Sequence, residues 1–176
     1  ALFDQGMTTT VNALTQLMRL HQITCGHTKL DDGTEINIPT NRVAEMMSVI
    51  EETSGKVIIW AGYRHDIESI KLALQKEYGM AAVGTYYGDT DDEERRRVVR
   101  EFQDPDSELR FFVGNPRTGG YGLTLTAAST VVYFSNSFDL EVRLQSEDRA
   151  HRIGQTKSVT YVDLFVPGTI DEKIVK

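Results

Sequence analysis

The sequence predicts an α/β fold, a mostly parallel sheet with helices on both faces. Short apolar runs at 57–60, 109–113 and 130–134 alternate with stretches of helical periodicity. Apart from Arg110 and Thr130, those runs are apolar at successive positions, the pattern of strands buried on both faces. Right-handed strand–helix–strand crossovers both build such a sheet and cover it.

Taken in order, residues 10–23 carry Val11, Leu14, Leu17 and Met18 at helical spacing, and Gly26 supplies a stop. A polar stretch follows over 24–41, where Asp32-Gly33 between Leu30 and Ile36 predicts a small hairpin or an ordered loop. Val43, Met46, Met47 and Ile50 mark a second helix, closed by Gly55. The buried strand 57–60 comes next, then a helix over 67–78 ended by Gly79, then a weaker strand over 81–86. Thr90-Asp91-Asp92-Glu93 has the spacing of a capping box and leads into a helix that buries Val98, Val99 and Phe102. The strand 109–113 precedes a glycine-rich stretch, and the strand 130–134 precedes a helix over 140–152. A strand over 159–166 and a helix starting at 169–172 complete the pattern. The expected organisation is a helical lead-in, residues 1–41, and a main lobe, residues 42–176.

At 176 residues the chain is long enough to bury a sizeable core, and its 40% hydrophobic and 26% charged content is that of an ordinary globular protein. No apolar run is long enough to span a membrane, and the amino-terminus lacks a secretory pattern. The single Cys25 excludes an internal disulfide framework and fits a reducing compartment. A net charge of -7, from 19 Lys and Arg against 26 Asp and Glu, runs against the basic balance typical of nucleic-acid-binding domains. Binding follows local charge rather than its sum, so a local groove could still hold DNA, weakly and with strong salt dependence. Beginning at Ala1 and stopping at Lys176 inside a helix-like segment, the chain reads as a piece of a longer protein.

The chemistry concentrates in two stretches. Gln145, Arg149 and Arg152 are spaced by four and then three residues, which on a helix puts them on one face. One amide and two permanently charged guanidiniums suit a polyphosphate. In Gly119-Gly120-Tyr121-Gly122 the glycines let backbone amides approach a ligand closely, a pattern that a tight turn also uses. No GxxxxGK[ST] phosphate loop is present, and Asp91-Asp92-Glu93-Glu94 is a helix start, where negative charge is favoured. Arg95-Arg96-Arg97 with Arg100 reads as a solvated helix face. His21, Cys25 and His27 have poor zinc spacing, and no metal site is predicted.

These motifs carry a resemblance. Arg149-Ala150-His151-Arg152-Ile153-Gly154-Gln155 resembles the sixth motif of superfamily-two helicases in the form used by Swi/Snf-type DNA-translocating ATPases, and Gly119 through Ala128 resembles the fifth. Lys56 through Trp60 looks like the strand opening the second helicase lobe. Gly88-Asp89-Thr90 with Glu93, Glu94 and Arg95 is similar to the family's Gly-Ser/Thr segment. The resemblance implies a RecA-like carboxyl-terminal lobe of a two-lobed, DNA-dependent ATPase. It implies that Arg149 and Arg152 are arginine fingers toward the γ-phosphate, with Gln145 helping to place nucleotide or water. Gly119, Gly120 and Gly122 would couple nucleotide to DNA. Arg117, Thr118, Thr124 and Thr90 would contact the DNA backbone.

ATP with Mg2+ would be held mainly by an N-terminal RecA-like lobe of the same protein, so this lobe alone is not expected to hydrolyse ATP. The implied partners are that lobe and double-stranded DNA, with no membrane, and the implied protein is monomeric. It would be intracellular: in the nucleus if eukaryotic, in the cytoplasm if bacterial or of a viral host. Asn115-Pro116, Thr124, Ala61-Gly62 and Phe138-Asp139 depart from the family's common Ser-Thr, Asn, Ser-Gln and Trp-Asn. The lobe has no long insertion between its motifs, which speaks against a large chromatin remodeller with family-typical inserts. Two other readings stand beside this one: a strand-separating helicase lobe, and a degenerate scaffold that binds nucleic acid or protein without catalysis.

Overall fold

A computed structural model describes residues 2–118, 123–151 and 157–175. They form two compact units, Val43–Leu164 and a smaller one made of Ala1–Arg42 with Phe165–Lys176.

The smaller unit opens with strands β1 (Leu2–Phe3) and β2 (Gly6–Met7), an antiparallel pair that periodicity did not signal because each strand has only two residues. Helix α1 (Ala13–Cys25) starts at Asn12, whose carboxamide accepts from the Thr15 amide at 2.9 Å. It ends at Gly26, where a φ of 96° lets the cap amide reach the carbonyls of Gln22 and Ile23. Strands β3 (His27–Lys29) and β4 (Glu35–Asn37) then form the hairpin expected around Asp32-Gly33.

The larger unit follows, from α2 (Arg42–Glu51) through β5 (Lys56–Trp60), α3 (Arg64–Tyr78), β6 (Val83–Tyr86), α4 (Asp92–Gln103), β7 (Phe111–Gly114), β8 (Ala128–Tyr133), α5 (Leu140–Ala150) and β9 (Thr160–Asp163). All five strands are parallel, in the order β6-β7-β5-β8-β9. Alternation along β5 divides the core. Val57 and Ile59 pack with Met46, Ile50, Ile67 and Ile70 of α2 and α3. Ile58 and Trp60 point to the other face and pack with Val98 and Phe102 of α4 and Ala150 of α5. Each such buried side chain contributes about 1.5–3 kcal/mol. At Gly84 a Cβ would lie 2.7 Å from Val98, so the missing side chain is what lets α4 settle on β6.

Chain direction reverses at β5: the path leaves it toward β6, whereas β8 continues the other way to β9. In open parallel sheets, ligands bind at the carboxyl ends of the strands beside such a reversal. The α/β expectation is met, with local corrections. The helix after Thr90 is capped by Asp91, whose carboxylate accepts from the Glu94 amide at 2.9 Å, so the expected capping box does not form. The helix expected over 140–152 stops at Ala150, with His151 extended at its end.

Helix α6 (Ile170–Val175) returns to the smaller unit. Its Asp171 is fully buried, bonded to Arg42 and to the Val166 amide at 2.9 Å, with His21 Nε2 3.4 Å away. The boundary read at 41/42 placed 165–176 in the main lobe. These residues instead gather with the lead-in, around a pair separated by 129 positions that no local pattern reveals.

Candidate functional site

The loops leaving β5, β7 and β8 meet at the carboxyl edge of the sheet and are bonded to one another. The Ala61 amide donates to Gly114 O and the Phe134 amide to Trp60 O, both at 2.9 Å. Gly62 N donates to Ser135 Oγ at 2.7 Å, and Ser135 Oγ in turn donates to Asp66 Oδ2 at 3.0 Å. Asn115 Nδ2 donates to Gly62 O at 3.1 Å, while its Oδ1 accepts from the Arg117 amide at 2.9 Å. Asn115, a departure from the family's sequence, is therefore a side-chain tie between two of these loops.

Helix α5 enters this edge from its cap Asp139, whose carboxylate accepts from the amides of Glu141 and Val142. At its far end Arg149 is only 5% exposed, with its guanidinium 5.3 Å over the Trp60 ring. Arg149 Nη1 donates to Thr118 O at 3.3 Å, and Arg149 O accepts from the Leu125 amide at 2.8 Å. The end of α5 is thus bonded to both flanks of the glycine-rich stretch. Burial lowers the Arg149 guanidinium pKa, opposed by the nearby Tyr86 and Tyr133 hydroxyls.

Gly119, Gly120, Gly122 and Arg152 lie outside the described residues. Helix α5 carries Gln145 and Arg149 and ends at Ala150, so the face read from the spacing is described only for those two residues. Gln145 is half-buried and its amide donates to Glu141 Oε1 at 2.9 Å, within the helix. Arg117 is exposed, 3.3 Å from Ser137 Oγ and 3.5 Å from Asp139 Oδ2. Thr118 and Thr124, at the two flanks of the loop, are half-buried. Thr90 is a correction: it is buried, and its hydroxyl accepts from the Tyr87 amide at 3.2 Å and donates to Thr85 O at 3.4 Å. That hydroxyl shapes the turn after β6 rather than presenting itself to a ligand.

Arg143 was not anticipated. It bonds Asp163 of β9, Asn136 at 2.7 Å and Glu147 at 2.5 Å, and lies 3.5 Å over the Tyr133 ring. Its spacing of four from Glu147 was the one available signal, and it pointed only to a helix-surface pair. The arginine run on α4 largely satisfies itself, Arg97 bonding Glu94 and Glu101 at 2.6 Å. Arg95 does more, bonding the carbonyls of Tyr87 at 2.8 Å and Gly88 at 3.2 Å.

The donor chemistry of the edge, a guanidinium next to a glycine-rich stretch, suits phosphate oxygens. Among the described residues, the buried Asp66 carboxylate accepts from Ser135 and the half-buried Asp163 carboxylate from Asn136 and Arg143, so both are committed otherwise.

Comparison with known proteins agrees with this geometry. The family model of the helicase conserved C-terminal domain matches residues 41–154. The human SWI/SNF-related matrix-associated actin-dependent regulator of chromatin subfamily A member 1 is 27% identical over 99% of this chain and 18% of its own length. Human chromatin-remodeling ATPase INO80 is 40% identical over 60% of this chain and 7% of its own length. The chain therefore spans less than a fifth of either relative. The Sulfolobus solfataricus SWI2/SNF2 ATPase core in complex with dsDNA superposes with a TM-score of 0.70 at 30% identity, over 92% of this chain and 34% of that one. Two of these names are of chromatin proteins, against the expectation drawn from the compact lobe.

Proposed function

The chain belongs to the helicase conserved C-terminal domain family, in its Swi/Snf branch, and from that premise we propose that it is the second motor lobe of a DNA-dependent ATPase that translocates on duplex DNA. The observation that carries the proposal is the placement of Arg149, inside the matched region, at the carboxyl edge and bonded to the carbonyl that leads into Gly119. Phosphoryl transfer needs positioning and charge stabilisation more than covalent help. Arg149 and Arg152 supply that charge to the γ-phosphate, and the backbone of 119–122 relays nucleotide state to the DNA contacts at Arg117, Thr118 and Thr124. ATP with Mg2+, held mainly by the first lobe, supplies the transferable phosphoryl group. The Walker-type lysine loop is missing from this sequence, so the lobe does not hydrolyse ATP alone. The relatives' names support chromatin as the setting in which the whole protein works.

The test is ATP hydrolysis by the full-length protein, with and without duplex DNA, for wild type, Arg149→Ala and Arg152→Ala. We expect DNA-stimulated turnover that falls by about 10³-fold or more in Arg152→Ala, the usual consequence of losing a finger. Unchanged turnover in both variants, with folding intact, would move the scaffold reading to the front.

A further inference from the structure

Among the described residues, the arginines along the carboxyl edge are already partnered inside the lobe. Arg64, the first residue of α3, lies 2.5 Å from Asp89 in the loop after β6, and the side chains are 72% and 48% exposed. Arg117, in the loop after β7, lies 3.5 Å from Asp139, the cap of α5, with exposures of 61% and 42%. Arg95, Arg143 and Arg149 are each bonded to carbonyls or carboxylates of the lobe. The edge segments 61–64, 87–91, 115–118 and 134–139 carry two arginines against three aspartates, Asp89, Asp91 and Asp139. An edge read as a track for a polyanion is thus neutralised by its own acids.

We propose that Asp89 and Asp139 are built-in competitors of DNA phosphate, holding Arg64 and Arg117 in exchangeable ion pairs that set how tightly this lobe grips the duplex. The proposal rests on the reading of this edge as the DNA-facing one. Both pairs are mostly solvent-exposed, so each is weak and opens readily, and a phosphate oxygen can take the place of the carboxylate on the guanidinium. While an aspartate stays beside its arginine, the approaching phosphate meets a neutral pair rather than a cation, so fewer counterions leave the DNA. The consequence is a low-affinity grip with a shallow salt dependence, suited to a lobe that must release and re-engage the backbone at each step. Asp139 has a second duty as the cap of α5, and asparagine performs that duty equally well. Asp139→Asn therefore removes the charge and leaves the helix start in place.

The test is binding of a fluorescent 30-base-pair duplex, a length of about three helical turns, to the full-length protein across a KCl series. The variants are Asp89→Asn, Asp139→Asn, Arg117→Ala and Glu52→Gln. Glu52 is an exposed acid just past α2, before β5 and so at the opposite edge. Each Asp→Asn change should tighten binding about two- to five-fold at low salt, the worth of an exposed ion pair. It should also steepen the log–log salt dependence by up to about 0.9 per charge freed. Arg117→Ala should weaken binding, and Glu52→Gln should leave it near wild type. If Arg117→Ala weakens binding while both Asp→Asn variants bind as wild type, the edge touches DNA and the competitor proposal is overturned alone. If Arg117→Ala and both Asp→Asn variants have no effect, the DNA-facing reading fails with it. If Glu52→Gln tightens binding as much as Asp139→Asn, net charge rather than pairing is responsible, and the proposal is overturned.

Discussion

Two sets of charges in this chain solve the same problem in opposite ways. In the smaller unit, Asp171 is fully buried between Arg42 and His21, three groups brought together from α1, the start of α2 and α6. At the carboxyl edge of the larger unit, Arg64–Asp89 and Arg117–Asp139 are local, exposed pairs. A buried carboxylate cannot exchange partners without a large desolvation penalty, so the Asp171 cluster holds structure. The exposed pairs contribute little to stability and can be traded for a ligand's charges. Burial, more than charge type, separates a clasp from a contact surface.

The largest expected effect breaks the clasp. Asp171→Ala should destabilise the smaller unit by about 3–5 kcal/mol, because it strands the Arg42 charge in the interior. Hydrogen exchange should show it as lost protection confined to α1 and α6. A loss no greater than that of Asp89→Asn would erase the distinction drawn above. Lowering the pH probes the same clasp. Burial alone would raise the Asp171 carboxyl, but His21, Arg42 and the Val166 amide outweigh it and leave it below the ordinary 3.8. Its stabilisation is therefore fully present above pH 3.8 and is lost as pH falls below that value toward the folded-state pKa. Exchange protection of α1 and α6 measured between pH 6 and about 3, bracketing a carboxylate titration, should stay flat above the ordinary carboxylate value and fall only below it.

Arg149 stands between the two classes, buried like the clasp yet placed at the working edge. Arg149→Met keeps much of the packing over Trp60 but removes the charge and the bond to Thr118 O. Stability should fall by about 0.5–1.5 kcal/mol, the net worth of one hydrogen bond, while DNA-stimulated ATPase falls far more. Equal proportional losses would assign Arg149 a structural role only. The smallest effect separates the two duties of Asp139. Asp139→Ala should cost about 1 kcal/mol through the lost helix cap, whereas Asp139→Asn should change stability by less than about 0.5 kcal/mol. Urea unfolding of both variants would measure the difference.

Much of the fold was legible because its signals are local. Hydrophobic runs marked β5, β7 and β8, and helical spacing with glycine stops marked α1 and α3. Arg149 stood out in the sequence because its motif is contiguous, and Thr90 was misread because a hydroxyl's partner is invisible in sequence. The face read from the spacing of Gln145, Arg149 and Arg152 assumes a continuing helix; α5 ends at Ala150, and Arg152 lies outside the described residues. Arg143 was missed because three of its contacts, to Asn136, Tyr133 and Asp163, come from the β8 strand, the loop after it and β9.

The sequence by itself determined the class of the fold, the direction of its sheet and the family of its motifs, since periodicity and contiguous motifs are properties of neighbouring residues. Only the tertiary structure decided which charges are spent and which can be exchanged. That depends on burial and on partners such as Arg42 and Asp171, 129 positions apart, which meet only once the chain has folded.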